Sequence, residues 1–438
     1  MTADPEKNKS TAYSTASSTG TISNDNPGCT INEESRKELE GGQDVEKDAV
    51  AESAEDAVPP PDVGENPDGG LRAWLVVIGY ALVFIPGLFA GRIFDMGYVK
   101  LPLGIASTLL VTATFLTAEC KEYWQFLLCQ GIAIGLACGV IFGVLMGTPA
   151  HWFKHKLGLA LGTMALGSSL SGTLYPIIVK NLMEEVGQVP RFSRIVGLYL
   201  CIRSHRFKWT MRVLGFIEFA LLSVQLVTVD RRLPPKAHTG PFIDVSVFKS
   251  VPFSLYTASS FFAFLGIYTL LTYIDVAAES TGIPENLAFY LLSIANACSA
   301  IGRLAGGVLV DRLGPLNVMT PATLMAGIMT YIWPFATSTG GNIAVAVVYG
   351  IFQGVFVSQI AAPIVRMGRT EDVGLRIGMN FTVIALGAVA GPPISGAINT
   401  ATGGFKFTGI FAGSAVVVAV IGLIITRISI LGRLWGRC

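Results

Sequence analysis

The sequence has few of the charged residues that a soluble domain carries on its surface. Asp, Glu, Lys and Arg make up 14% of its 438 residues, whereas 51% are hydrophobic. A typical soluble domain carries roughly 25% charged residues. The mean hydropathy is also positive, at +0.57. This composition argues against an ordinary soluble protein and predicts an all-α membrane protein, because helices satisfy their own backbone hydrogen bonds in lipid.

The sequence also lacks the residue patterns of metal, disulfide and catalytic sites. Its 7 cysteines are scattered without a CxxC or CxxH pair, so we predict packing roles for them rather than a disulfide framework. His151 and His155 have a spacing that can bind zinc on a helix, but no third ligand is near. No HExxH, GxSxG or phosphate-loop motif occurs. We therefore predict no enzyme activity, no cofactor, no metal site and no nucleic-acid partner.

Residues 1–70 differ from the rest of the chain in charge. They contain 16 acidic and 5 basic residues, whereas the remaining 368 residues contain 14 acidic and 26 basic ones. The segment is rich in Ser, Thr and Pro and has almost no aromatic residues, so it cannot bury enough apolar surface to fold. We predict a disordered, acidic cytoplasmic tail. Because no apolar run follows Met1, we expect no cleavable signal peptide.

Eleven apolar runs are long enough for membrane spans. A span needs about 20 apolar residues, and the candidates lie at about 71–90, 101–118, 124–147, 157–180, 209–229, 251–275, 286–309, 315–337, 341–365, 376–399 and 406–427. Many contain glycine, as in QGIAIGLACGVIFG (130–143), and small residues let membrane helices approach closely.

The loops between these runs alternate in charge. One set contains 15 basic residues, at Arg92, Lys100, Lys154, Lys156, Arg231, Arg232, Lys236, Lys249, Arg312, Arg366, Arg369, Arg376, Arg427, Arg433 and Arg437; the other contains Lys121 and Lys406. Because cytoplasmic loops collect Lys and Arg, the first set is predicted to face the cytoplasm. Residues 188–208 are an exception, since this predicted external loop is basic and its apolar stretch, IVGLYLCI, is too short to span.

An internal repeat divides the chain into two halves. Gly91 precedes Asp95 by four residues in GRIFD, and Gly307 precedes Asp311 by four in GGVLVDRLG. The two aspartates are 216 positions apart. We predict an N-terminal bundle at 71–229 with an atypical insert at 188–206, a cytoplasmic linker at 230–249 and a C-terminal bundle at 250–438. Repeated helical bundles are typical of transporters, with the solute site at their interface.

Several segments, in the right order, resemble the major facilitator superfamily. PDGGLRAW (67–74), HWFKHKLGLALGTMALGSSLSG (151–172) and LLSIANACSAIGRLAGGVLVDRLGPLN (291–317) are similar to its fungal monocarboxylate-transporter-like branch. The resemblance implies two six-helix bundles around a central cavity. In the family the first loop signature follows the second helix, whereas here only residues 75–90 separate PDGGLRAW from GRIFD.

The shortage of one helix suggests that parts of helices one and two are missing. Eleven spans would also place the N-terminal segment on the opposite side from the basic C-terminus. Residues 188–206 interrupt a passage that is continuous in the family. We hypothesise that both features are gene-model errors, a skipped exon and a retained intron.

Arg303 is the first candidate for binding a solute. It precedes Asp311 by eight residues, which places it about 12 Å from the loop along a helix. A buried arginine in a membrane is a functional candidate, here as a partner for an anion, and the resemblance implies carboxylate binding; the alternative is a structural arginine bound to a carbonyl. Asn296 and Ser299 lie on the same helix face. Ser299 stands where proton-coupled relatives are expected to have an aspartate, which leaves a coupled proton open.

Other polar and aromatic residues within the spans could line a cavity, although such a residue is more often a packing or helix–helix hydrogen-bond residue. They are Tyr268, Gln353, Gln359, Asn380 and Phe381. Two titratable residues near helix ends, Glu218 and Asp275, are weaker candidates for ion coupling.

The two loop signatures form a separate, conformational group, which comprises Gly91, Arg92, Asp95, Gly307, Asp311, Arg312 and Gly314. We expect each aspartate to interact with a helix N-terminus and a basic partner, which would latch the inward-closed state. The alternative is a solvated turn.

Together these features predict a secondary transporter that moves a small organic solute, first of all a carboxylate-type anion, by alternating access. A larger neutral metabolite or vitamin, including an exported secondary metabolite, is the alternative, and a non-transporting sensor or inactive product is the third hypothesis. The predicted partners are the lipid bilayer and the solute. The plasma membrane is the default location, with a vacuolar or other internal membrane as the alternative.

Overall fold

The computed structural model describes residues 89–185, 196–230, 232, 244–368, 372–432 and 436, with side chains omitted at 183–185 and 196–206. The predicted tail, most of the first predicted span and residues 188–195 of the predicted insert (188–206) lie outside these residues. In the part that is described, every regular element is a helix. The predicted all-α class is confirmed.

Eleven helical segments, α1 to α11, make up the bundle in the described part of the chain. They are α1 (89–95), α2 (Lys100–Thr117), α3 (Tyr123–Trp152), α4 (Leu157–Glu185), α5 (Val196–Thr228), α6 (Val251–Ser280), α7 (Glu285–Leu313), α8 (Pro315–Ile332), α9 (Thr339–Gln359), α10 (Val373–Thr402) and α11 (Phe405–Leu431). Residues 127–133 of α3 are wound as a π-helix.

Length and composition make most of these helices suitable for crossing a membrane. Among the described residues, 9 helices are long and apolar enough, including α4 and α9. Short turns separate the helices of the second half. Gly314, between α7 and α8, has a φ of +97°, and Gly403, between α10 and α11, has a φ of +66°. Glycine adopts this left-handed backbone without steric cost, so both turns can be tight.

The two halves, α1–α5 and α6–α11, meet along two seams. At one seam α4 packs on α7, and at the other α10 packs on α3. The main hydrophobic cluster lies within the second half and includes Phe253, Ile267, Leu291 and Phe356; Leu161 of α4 joins it across the seam. The halves are therefore joined by close helix–helix contact in addition to their connecting loop.

Three predicted boundaries are wrong in detail. Residues 196–206, predicted as part of a loop, are helical and continue into α5. The predicted span at 315–337 ends at Ile332 and passes into a 3₁₀ turn, and the one at 341–365 breaks at residues 360–361, before a short helix, Ala362–Arg366. Pro334 and Pro363 explain these last two differences, because proline lacks an N–H and interrupts a continuing helix.

Candidate functional site

Asp95 caps a helix of the opposite half. Its carboxylate accepts hydrogen bonds from the backbone N–H groups of Gly374 (3.1 Å) and Leu375 (2.8 Å), at the start of α10. The first N–H groups of a helix have no partner within the helix, and they carry partial positive charge. Asp95 is only 1% exposed, so these donors replace water around its carboxylate. We call Asp95, Gly374 and Leu375 the first clamp.

Asp311 makes the equivalent contact at α4. Its carboxylate accepts hydrogen bonds from the N–H groups of Gly158 (2.7 Å) and Leu159 (2.9 Å). The side-chain amide of Gln359 adds a hydrogen bond to the Gly158 carbonyl, at 3.0 Å. We call Asp311, Gly158 and Leu159 the second clamp. Each clamp thus joins an aspartate of one half to a helix of the other.

The residues of the two clamps are related by one constant distance in the sequence. Asp95 and Asp311 are 216 positions apart, and so are the capped glycines Gly158 and Gly374. The segments LGLALG (157–162) and VGLRIG (373–378) are similar at that same offset. The internal repeat therefore includes both sides of the contact, the aspartate loop and the helix that it caps.

Glycine is required where the clamped helices meet. A Cβ atom on Gly91 would lie 2.3 Å from the Gly374 carbonyl oxygen, and one on Gly307 would lie 2.6 Å from the Gly158 carbonyl oxygen. Both distances are below any normal contact. The glycine four residues before each aspartate lets the backbones approach closely enough for the carboxylate to reach the helix N-terminus.

The remaining residues of the loop signatures differ between the halves. Arg92 is buried, and its Nη1 lies 3.8 Å from Oδ1 of Asp372, which precedes α10. Arg312, which follows the second aspartate, is exposed. Gly314 ends α7 in the left-handed conformation already described. The first clamp therefore has an ion pair beside it, between buried Arg92 and partly exposed Asp372, and the position equivalent to Arg92 in the second clamp is a valine, Val308.

Arg303 lies in the α4–α7 seam, two turns from the second clamp. It is 5% exposed. Its Nη1 donates to the carbonyl oxygen of Ala165 and to the hydroxyl of Ser168, both on α4. Its Nε has no hydrogen-bond partner among the described residues. Three of the five N–H donors of the guanidinium thus remain beyond these two contacts, in the middle of the interface between the halves.

Asn296 and Ser299 lie along the same seam. The Ser299 hydroxyl is 2.7 Å from that of Ser169, and the Asn296 amide donates to the Gly172 carbonyl at 3.3 Å. The structure brings both residues together with Arg303 on the face of α7 that contacts α4. In this arrangement they make helix–helix hydrogen bonds, so a solute could reach them only where α4 and α7 separate.

The other candidate residues are spread over three helices of the second half. Tyr268 of α6 is partly buried and within electrostatic range of Arg303. Gln353 of α9 is buried. Asn380 of α10 is fully buried, and neither of its amide atoms has a hydrogen-bond partner in the described part of the chain. Its neighbour Phe381 packs edge-on against Phe142 of α3, with ring centroids 5.0 Å apart.

The sequence did not predict which backbone N–H groups the two aspartates bind. Gly158, Leu159, Gly374 and Leu375 offer backbone N–H groups, and a backbone donor leaves no side-chain signature. The 216-residue offset could have identified them, because the two GLxxG segments repeat at the same distance as the aspartates. Ser168 was missed as well, since a serine in an apolar helix indicates nothing by itself.

The ends of the bundle away from the clamps are held by other contacts. Lys180 of α4 donates to Asn286 Oδ1 at 2.8 Å, and its Nζ lies 4.8 Å from the centre of the Phe289 ring. In the first half, Glu119 pairs with Lys208 (2.7 Å) and Arg212 (2.8 Å). Hydrogen bonds from Lys208 and Arg212 hold the pKa of the Glu119 carboxyl below its usual range. Lys208 belongs to the stretch that broke the charge pattern, and Glu119 offsets part of that charge.

Comparison with known proteins identifies the class to which this fold belongs. The model of the Major Facilitator Superfamily matches residues 58–362 and 256–430. The chain belongs to this superfamily and is a multi-pass membrane transporter of that type. Proteins of this family and fold are not enzymes.

Particular relatives come from fungi. MFS-type transporter dbaD of Emericella nidulans is 32% identical over 358 residues, which cover 81% of this chain and 76% of the relative. Aspyridones efflux protein apdF of the same species is 29% identical over 412 residues, with 83% and 80% covered. Among solved structures, FucP in the outward conformation aligns with a TM-score of 0.65 and 17% identity, over 82% of this chain and 90% of that one.

Proposed function

We propose that the protein carries a small organic solute by alternating access and that the solute presents an anionic group, such as a carboxylate, to Arg303. The observation that carries this proposal is a buried guanidinium between the two halves whose bonded acceptors are neutral. None of the ion pairs among the described residues includes Arg303. A buried charge without a counter-ion is costly, and a bound anion would remove that cost.

The contacts of Arg303 link binding to movement of the halves. Ala165 and Ser168 supply neutral acceptors, whereas a carboxylate forms charge-assisted hydrogen bonds that are roughly twice as strong. A solute that takes these acceptors' place breaks a bond between α4 and α7. Arg303 would therefore bind α4 in the empty closed state and the solute in the loaded state.

Matched solutes test the charge requirement. We would measure thermal stabilisation of the purified full chain, and then uptake into vesicles, with pairs of organic acids and their amides. Acids of suitable size are expected to raise the melting temperature and to be transported, whereas their amides are not. Arg303→Gln should abolish both effects and Arg303→Lys should weaken them, because lysine lacks the planar fork that binds carboxylates. Equal responses to acid and amide would contradict the anion proposal.

A second candidate solute is a larger neutral metabolite that is exported. The name of one relative, an efflux protein for aspyridones, favours this alternative. It predicts that export from intact cells survives Arg303→Gln, provided that the variant reaches the membrane. Transport that fails for every solute in a well-folded protein would instead support a sensor or an inactive product.

We further propose that the clamps latch the inward-closed state. Both clamps lie at the end of the bundle that carries the basic loops, and each joins the two halves there. Opening this end breaks four hydrogen bonds to the two aspartates. The assignment to the monocarboxylate-transporter-like branch is a proposal of the same kind, supported by the sequence motifs. Coupling to a proton and the plasma membrane as location remain expectations from the sequence.

A further inference from the structure

Glu218 lies in the middle of an apolar helix, although the sequence led us to expect it near a helix end. The span of α5 runs from Phe207 to Thr228, so about 15 Å of helix separates Glu218 from either end. A carboxyl at this depth is costly in hydrocarbon and is a functional candidate by default. It is the single acidic residue in the described spans of the first half, 100–117, 123–152, 157–182 and 207–228.

Thr114 of α2 is the hydrogen-bond partner of Glu218. Its hydroxyl oxygen lies 2.7 Å from Oε2 of Glu218 and 3.1 Å from the carbonyl oxygen of Leu110. A hydroxyl has one proton, so it cannot donate fully to both acceptors. A proton on Glu218 supplies the second donor, because the carboxyl then donates to Thr114 while Thr114 donates to Leu110. The geometry therefore accommodates a protonated carboxyl with every hydrogen bond complete, and an ionised one with a single bond from Thr114.

Glu218 has no ion-pair partner in the described part of the chain. Arg212, in the same helix, pairs instead with Glu119 at 2.8 Å. On the neighbouring helices, the titratable groups within electrostatic range are the Cys138 thiol of α3 and the Tyr175 hydroxyl of α4. Both kinds of group are ordinarily neutral at pH 7. Binding of a proton would thus neutralise a half-buried charge that has no counter-ion.

The contacts of α2 with α5 follow one antiparallel register along the interface. At the end that carries the clamps, Lys100 Nζ lies 3.8 Å from Oδ2 of Asp230, just after α5. At the opposite end, Glu119, just after α2, pairs with Arg212. The Glu218 contact lies between these two ion pairs. Polar groups of the two helices therefore meet near both ends of the spans and in the middle.

Two further polar side chains extend this stripe from Glu218 toward the clamps. Ser107 precedes Thr114 by seven residues and Gln225 follows Glu218 by seven, so each lies two turns further along the same helix face. The antiparallel register places them at one level. Ser107 Oγ and Gln225 Nε2 are both buried, and neither has a hydrogen-bond partner among the described residues. Buried polar atoms of this kind bind interior water, and water chains transfer protons.

We propose that Glu218 is a proton-binding site, which takes up and releases one proton in each transport cycle, with Ser107 and Gln225 on its route to the cytoplasmic side. The inference rests on the transport function proposed above and assigns its coupled ion. The proton moves between water and a carboxylate oxygen of Glu218, and no other bond changes. Because α2 and α5 belong to one half, this site is separate from Arg303 in the α4–α7 seam. Proton binding and solute binding can therefore be altered independently.

Infrared difference spectroscopy tests proton binding with the full chain in lipid vesicles. A pH titration of the wild type should show the C=O band of a protonated carboxyl that gains and loses its proton, and Glu218→Gln should lack this band. Thr114→Val should shift the band to higher frequency, because the carboxyl loses its hydrogen-bond partner. Glu285→Gln, the same change at an exposed helix start, should leave the band unchanged. Persistence of the band in a folded Glu218→Gln protein, or an unshifted band in Thr114→Val, would overturn the proposal.

Counterflow separates proton coupling from solute transport. Vesicles are loaded with an organic acid that the wild-type chain transports, and exchange with labelled acid needs no net proton movement. Glu218→Gln should exchange at a rate near that of the wild type. Its accumulation driven by a pH gradient, corrected with protein-free vesicles, should fall to the level reached without a gradient. Retained accumulation in this variant, or accumulation that follows a sodium gradient instead, would overturn proton coupling at Glu218.

Gln225→Leu tests the route of the proton. It leaves the carboxyl in place, so the infrared band should remain, whereas accumulation driven by the pH gradient should be slower. An unchanged rate would overturn the assignment of Gln225 to the route. If no organic acid exchanges in the wild type, the anion proposal fails, and the infrared titration still decides whether Glu218 binds a proton.

Discussion

Asparagine at position 311 should open the end of the bundle that the clamps close. Asp311 accepts from two N–H groups, at 2.7 and 2.9 Å. An asparagine keeps one acceptor oxygen and turns its amide group toward the other N–H. The lost charge-assisted bond is worth about 1.5–3 kcal/mol, and the lost charge at the helix N-terminus about 0.3–1 kcal/mol.

These terms favour the open form by about 2–4 kcal/mol if the clamp forms only in the closed form. Since roughly 1.4 kcal/mol is a factor of ten, the open population should rise about 30- to 700-fold while it remains a minority. Asp95→Asn should act in the same direction through the first clamp.

A cysteine at Ser169 reports this opening. Ser169 is fully buried against Ser299 in the α4–α7 seam, so Ser169→Cys should react with a maleimide only when the halves separate. The tryptic peptide 157–180 contains no native cysteine, and mass spectrometry can therefore follow its labelling in the otherwise unchanged chain. The labelling rate in inside-out vesicles should rise in proportion to the open population.

Glu285→Gln is the matched control. It also replaces a carboxylate by an amide on α7, but at the exposed first residue of the helix, away from the clamps. Its labelling rate should equal that of Ser169→Cys alone. The reasoning is refuted if Asp311→Asn labels no faster than this control while both proteins melt at a similar temperature.

Three further changes test separate parts of the structure. Gly374→Ala places a Cβ 2.3 Å from the Gly91 carbonyl and should speed the same labelling, whereas Gly340→Ala, in open space, should not. Asn380→Leu removes two buried unpartnered polar atoms and should raise the free energy of unfolding by about 1–3 kcal/mol in a chemical unfolding assay. Loss of transport in that stabilised variant would assign Asn380 to the solute path. A lower free energy of unfolding would contradict the absence of hydrogen-bond partners for its side chain. Glu119 has a depressed pKa in the folded state, so its stabilising effect is present at neutral pH and is lost as the pH falls through that pKa. Glu119→Gln should therefore lower the melting temperature at pH 7 in low salt but not at acidic pH.

The parts of the fold that the sequence predicted are those with a repeated or periodic signal. Apolar runs predicted the helices, and the glycine that stands four residues before Asp95 and before Asp311 identified both aspartates. Their partners were not predicted, because Leu159 and Leu375 use backbone N–H groups that any residue except proline could supply. Which helix each aspartate reaches depends on how the halves pack, and no local pattern contains that information.

The predicted helix boundary before α5 was wrong because basic residues indicated a loop inside what is a continuous helix. The basic residues at 203–208 indicated a loop, yet the structure continues α5 through them, and Lys208 is compensated by Glu119, 89 positions earlier in the chain. Arg303 was identified correctly as a residue within the bundle. Its bonds to Ala165 and Ser168 were not foreseen, because α4 offers only a carbonyl and a hydroxyl there and no charged partner.

The clamps consist of carboxylates, glycines and backbone N–H groups, and none of these groups needs to contact the solute. The chemistry that closes the transporter is therefore separate from the chemistry that selects its cargo. Side chains deeper in the seam could be exchanged to suit another metabolite while the closing device stays unchanged. A lineage of transporters built on such clamps could diversify in substrate without having to evolve a new gate each time.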